Sequence, residues 1–89
     1  MYEIVRTSQF KRDIKRAIRR NEGTDKLKTL LALLVEGTPL PEKYQDHPLK
    51  GDYRDCRDCH IEPDWLLIYR IRGNELHLIR TGTHADLFR

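Results

Sequence analysis

Only two of the 89 residues are cysteine and one is methionine, and no apolar run approaches the roughly 20 residues needed to cross a bilayer. So few cysteines exclude a disulfide-stapled framework and predict free thiols in a reducing compartment. The start M-Y-E-I-V-R-T has neither the basic region nor the apolar stretch of a secretory signal, so a soluble, cytoplasmic protein without membrane contact is expected. Internal repeats and low-complexity segments are missing too. The single proline-rich stretch, Thr38 to Pro48, is short and reads as a connection inside one domain spanning residues 1–89.

What is present is a mildly basic chain. Seventeen Lys and Arg against fourteen Asp and Glu give a net charge of +3, which permits an anionic partner without requiring one. With 38% apolar residues the chain can bury one core, about 60–65% of the surface of its unfolded form. Those apolar residues are periodic. Tyr2 to Arg6 reads as a strand, and Thr7-Ser8 as helix caps before a helix whose apolar stripe is Phe10, Ile14, Ala17 and Ile18. Asn21 to Gly23 breaks that helix, and Thr24 is expected to cap a second one carrying Leu27, Leu30, Leu31 and Leu34, ending at Gly37. The two helices are expected to form an antiparallel hairpin. Tyr53 to Ile61, Trp65 to Arg72 and Glu75 to Thr81 have strand length, with Gly73-Asn74 as the turn between the last two. The result is an α+β order, β-α-α-β-β-β. Asp64 to Ile71 is apolar on both parities (Trp65, Leu67, Tyr69 and Leu66, Ile68), as in a central strand covered on both faces.

His47, His60 and His84 lie in the second half beside Asp58, Asp64, Arg54, Arg57 and Arg80. Strand parity would put Arg54, Asp58 and His60 on one face, and a tight connection at Glu62-Pro63 would bring Asp64 and Trp65 near His60. Histidine, carboxylate and arginine together suit acid–base chemistry at a phosphodiester: two groups exchange protons near neutral pH and a cation stabilises charge on phosphate. Surface histidines scattered over a polar sheet face are the competing reading. The pattern C-R-D-C-H at Cys56 to His60 matches c-type haem attachment. In a strand, however, Cys56 and Cys59 point to opposite faces and cannot close on one haem or one zinc ion. No cofactor and no metal is therefore expected.

The first helix carries a second candidate site. Arg6, Lys11, Arg12, Lys15, Arg16, Arg19 and Arg20 stand against Asp13 alone, a local field able to hold several phosphates, with a solvated helix back as the alternative. Among the aromatics, Tyr53, Trp65, Tyr69 and Phe88 could stack bases, and Phe88 is expected to be exposed.

Three segments, D-H-P-L-K-G (46–51), Y-R-D-C-R-D-C-H-I-E-P-D-W (53–65) and R-T-G-T-H-A-D-L-F (80–88), resemble the YafQ branch of the RelE/ParE toxin superfamily. The resemblance covers essentially the whole chain. It implies a RelE-like fold, a two-helix hairpin on a small, twisted, mainly antiparallel sheet. It further implies the toxin of a bacterial type II toxin–antitoxin pair, an endoribonuclease or mRNA interferase that cuts mRNA on the translating ribosome. A DinJ/RelB-like antitoxin would neutralise it, and operator DNA would be met only through the antitoxin complex. The site carried over by the resemblance is His47, Asp58, His60, Asp64, Trp65, Arg80, His84 and Phe88. A mechanism consistent with the residues is metal-independent attack of the RNA 2′-OH on the adjacent phosphate. His84 is then the acid, Asp64 or His60 the base, and Arg80 and His47 stabilise phosphate. Asp58, Trp65 and Phe88 position the substrate, and Lys11, Arg12, Lys15 and Arg16 hold ribosomal RNA. The rival within the superfamily is a ParE-like toxin that binds DNA gyrase and lacks the histidine set.

Overall fold

Thr7 is where the chain first turns from strand to helix. In the computed structural model, which describes residues 1–88, its hydroxyl accepts the Phe10 N–H at 2.9 Å and caps α1 (Ser8–Arg19), directly after strand β1 (Glu3–Arg6). The second helix, α2 (Thr24–Glu36), completes the hairpin, but Gly23 rather than Thr24 takes its N-cap position and no side chain caps it. Thr24 is already helical. At the far end Gly37 adopts the left-handed conformation (φ 76°) that closes α2 on the Leu34 carbonyl.

The apolar stripe of α1 also differs from the sequence reading. Phe10 and Ala17 are buried and Ile14 half-buried, whereas Ile18 is 58% exposed and Asp13 is only 2% exposed. Positions 10, 13, 14 and 17 are the i, i+3, i+4, i+7 set, so Asp13 occupies the stripe and Ile18 falls on its flank.

The rest of the chain is strand β2 (His47–Pro48), β3 (Arg57–Glu62), β4 (Trp65–Arg72), β5 (Glu75–Gly82) and a one-turn helix α3 (His84–Leu87). They join β1 in a sheet of order β1-β5-β4-β3-β2, antiparallel except for the parallel β1–β5 pair. The expected strand from Tyr53 is shorter than its pattern. Gly51–Tyr53 is a 3₁₀ turn and Asp55 takes a left-handed φ of 71°, which breaks the extended run, so Arg54 lies off the strand and its expected parity with Asp58 and His60 does not apply.

β4 is covered on both sides, as its double apolar parity requires. Trp65, Leu67 and Tyr69 pack into the helix-side core with Phe10, Leu30 and Leu34, while Leu66 and Ile68 form a smaller core on the opposite face with Cys56 and Leu87. The two cysteines diverge accordingly: Cys59 belongs to the first core and Cys56 to the second, and burial pushes both thiols up.

Two bulges decide which side chains reach which face. The β3–β4 register slips between His60 and Glu62, so Asp58 and His60 stay opposite Ile68 and Leu66 while Glu62 pairs with Trp65 and meets Lys26 of α2. The β4–β5 register slips at Ile68/Tyr69, leaving Ile79 as the extra residue. Leu76 and Leu78 face the helices before it. After it the phase is reversed, with Thr81 opposite Leu67 on the helix side and Arg80 opposite Ile68 on the other.

Candidate active site

The face away from the helix hairpin collects the histidines. His47 comes from the short edge strand, where its pairing register sets it opposite Asp58. The preceding residue, Asp46, anchors that strand by accepting the Tyr69 hydroxyl at 2.7 Å and the Arg57 Nε–H at 3.2 Å. His47 Nδ1 lies 2.7 Å from the Gln45 carbonyl, which can only accept, so the proton is on Nδ1 and Nε2 is turned towards Asp58. Nε2 stands 3.2 Å from Asp58 Oδ1, out of hydrogen-bond alignment, and Asp58 Oδ1 is buried without a hydrogen-bond partner. Burial pushes the Asp58 carboxyl up, with His47, His60 and His84 pulling part of the way back.

His60, two residues along β3, shares that face. Its ring lies edge-to-face with the His84 ring, centroids 5.6 Å apart. His84 opens α3 and is held by Asp64 from the β3–β4 turn: Asp64 Oδ1 accepts the His84 backbone N–H at 2.9 Å and lies 2.6 Å from its Nδ1. These two contacts, the backbone one first, lower the Asp64 carboxyl below the ordinary range. A carboxylate so engaged orients an imidazole and is a poor proton acceptor for anything else.

Arg80 reaches the same face through the bulge at Ile79. Its Nε and Nη2 donate to the two oxygens of Asp13 at 3.0 and 2.9 Å, and its guanidinium is further held charged by Tyr53. Tyr53 in turn packs edge-on against Phe88 at 5.9 Å, and Phe88 is 43% exposed, as expected from its place near the end of the chain.

His47, His60, Asp64, Arg80, His84 and Phe88 therefore meet around one surface, whereas Asp58, expected to position the substrate, is only 3% exposed beneath His47 and does not reach it. Nor does Trp65. It is 2% exposed in the helix-side core, because it shares the β4 parity of Leu67 and Tyr69, which faces α1 and α2, so it cannot stack a base. The basic helix needs a narrower reading as well. Lys11, Arg12 and Lys15 are exposed, but Arg16 is ion-paired with Asp86 at 3.1 Å and with Asp13 at 3.5 Å and is not free for phosphate. Two acids were missed as site-building residues. Asp13 could be found as a charge inside an apolar helical stripe, and Asp86 as the fourth residue of T-x-x-D, a helix-start signature.

Known proteins match this chain in sequence and in fold. Residues 2–89 match the family model for the bacterial toxin of type II toxin–antitoxin system, YafQ. The mRNA interferase toxin YafQ of Escherichia coli K12 is 47% identical over 87 residues, 97% of this chain and 95% of that protein. The crystal structure of YafQ from Escherichia coli BL21(DE3) superposes with a TM-score of 0.94 at 44% identity, covering all of both chains. The YafQ chain of the Escherichia coli DinJ-YafQ complex gives 0.93 at 44% identity, again covering all of both chains. With family model, sequence and fold in agreement over the full length, this chain belongs to the YafQ family of bacterial type II toxin–antitoxin toxins.

Proposed function

We propose that this protein is a ribosome-dependent endoribonuclease that cuts mRNA by attack of a 2′-OH on the adjacent phosphate. The observation that carries this reading is the pair of imidazoles, His60 and His84, set edge-to-face with centroids 5.6 Å apart on the surface that also carries Arg80. One imidazole takes the 2′-OH proton while the other protonates the leaving 5′-oxygen, leaving a 2′,3′-cyclic phosphate and a 5′-OH; water then opens the cyclic ester where a 3′-phosphate is formed. His60 is the base in this scheme and His84 the acid, since Asp64 is occupied in orienting His84. Arg80 stabilises charge on the phosphate through Nη1, the guanidinium nitrogen that Asp13 does not hold, while Asp13 on Nε and Nη2 sets its direction. His47 binds at the nucleophile's side above the buried Asp58 carboxylate, and Phe88 packs a base. The ordered three-histidine set disfavours a ParE-like action on gyrase.

As the toxin of a pair, the protein has an antitoxin for its partner, and the DinJ-YafQ complex of the Escherichia coli relative supports a DinJ/RelB-like one. A single 2′-deoxynucleotide at the cleavage position of an mRNA on programmed ribosomes should abolish cutting there, with the unmodified mRNA yielding a cyclic phosphate end. Continued cleavage of the deoxy substrate would mean that water is the nucleophile, and would sink the scheme.

Ribosomal RNA is expected to meet the exposed cations of α1. Replacing Lys11, Arg12 and Lys15 with Gln should lower the log–log salt slope of ribosome binding by about 2–3, with little effect on turnover of bound mRNA. An unchanged slope would show that this helix back is merely solvated.

A further inference from the structure

The α3 helix is a single turn of four residues, too short to hold its own shape, yet it carries His84. Its geometry is set by Asp86. The Thr83 hydroxyl accepts the Asp86 N–H at 3.1 Å while Asp86 Oδ2 accepts the Thr83 N–H at 2.9 Å, a reciprocal cap around the residue at which His84 begins. The same carboxylate is gripped from α1, by Arg20 at 2.7 and 3.3 Å and by Arg16 at 3.1 Å. Gly82 makes room for it: a Cβ there would lie 2.9 Å from both the Cβ and Oδ2 of Asp86. The Arg20 contact first, and the Thr83 contacts with it, hold the Asp86 carboxyl far below the ordinary range, so it stays ionised.

We propose that Asp86 is a positioning residue for cleavage: clamped to the end of α1 by Arg16 and Arg20, it fixes the one-turn helix that presents the His84 imidazole to the scissile phosphate. This rests on the reading of His84 as the acid. Asp64 sets the rotation of the ring, and Asp86 sets where the backbone beneath it lies. The two guanidiniums also neutralise a carboxylate that would otherwise repel the RNA near its reacting phosphate.

The test is single-turnover cleavage of mRNA on programmed ribosomes, with rate and half-saturating concentration measured separately. Asp86→Ala should lower the saturated rate by about 10–100-fold and leave half-saturation unchanged. Asp86→Glu, which keeps a charged capping box, should recover most of the loss. Asp86→Ala combined with His84→Ala should be no slower than His84→Ala alone, since Asp86 acts through that ring. A wild-type rate per folded molecule in Asp86→Ala, or losses that multiply in the double variant, would overturn the proposal. Should Asp86→Ala fail to fold, Arg16→Ala with Arg20→Ala cuts the clamp while leaving the cap, and a normal rate there overturns it equally. His84→Ala cleaving at the wild-type rate would strike at the acid assignment and take this inference with it, whereas a slow His84→Ala beside a fast Asp86→Ala defeats the positioning role alone.

Discussion

Changing His84 to alanine is expected to lower the single-turnover rate of RNA cleavage by about 10²–10⁴-fold, the usual contribution of a positioned proton donor. The stability cost should be small, because the ring is more than half exposed and its polar partner, Asp64, is on the surface as well. Induction of the variant should therefore yield soluble protein that no longer arrests growth and still binds the antitoxin. The measurement is the pairing of rate with thermal midpoint. An unchanged rate would transfer the acid role to His60 or His47, and an unfolded variant would make His84 structural.

Asp13 should behave in the opposite way, with its largest effect on stability. Its side chain is fully buried and collects Arg80 at two positions, the Thr81 N–H at 3.1 Å and the Gln9 amide at 3.0 Å. The Thr81 N–H is one that β1 leaves without a partner, since the β1–β5 pairing ends at Arg6 and Leu78. Asp13→Ala orphans all of these and is expected to cost on the order of 3 kcal/mol, which for a domain of this size lowers the thermal midpoint by roughly 10–20 °C. A loss below about 1 kcal/mol would mean that water or Arg16 replaces the carboxylate without difficulty.

The same cluster sets a pH dependence. Burial pushes the Asp13 carboxyl up, but the bonds from Arg80, Gln9 and Thr81 outweigh it and leave it lowered; Asp86 is lowered by Arg20 first. A carboxyl lowered by folding stabilises fully above its unfolded value, about 4, and loses that contribution as pH falls towards the folded one. Asp58 has the opposite sign, since its raised carboxyl opposes folding when ionised and is relieved on protonation. Stability should thus fall below about pH 4, and less steeply in Asp13→Asn than in the parent. Equal slopes would show that Asp13 does not carry the acid sensitivity.

The parts of the fold written in side-chain periodicity were legible before any coordinates: the capped first helix, the leucine face of the second, the doubly covered central strand and the Gly73-Asn74 turn. What periodicity cannot express is a change of phase. Both bulges insert one residue into a ladder whose strands look regular in sequence, so the reversal that parts Arg80 from Leu78 was hidden; Trp65 was placed at the site by the resemblance, although its parity with Leu67 and Tyr69 makes it core. The break at Asp55 was hidden likewise, because aspartate tolerates the left-handed conformation but marks it only weakly within a run of strand length. The site's histidines were recognisable as a set, since their chemistry belongs together and the resemblance named them. Their supporting acids carry local marks, a charge in an apolar stripe and a T-x-x-D cap, but not their partners, since Asp13 and Asp86 act across 67 and 66 positions of sequence on Arg80 and Arg20 respectively.

The extra residue at Ile79 makes β5 two half-strands running out of step, one bound to the hydrophobic interior and the other to the reactive surface. Side chains in either half can be exchanged one at a time with local effects. The length of the strand cannot, because losing a single position would carry the arginine inward and the threonine outward together. The spacing of this stretch, along with its residue types, is what keeps Arg80 at the reactive surface and Thr81 in the interior.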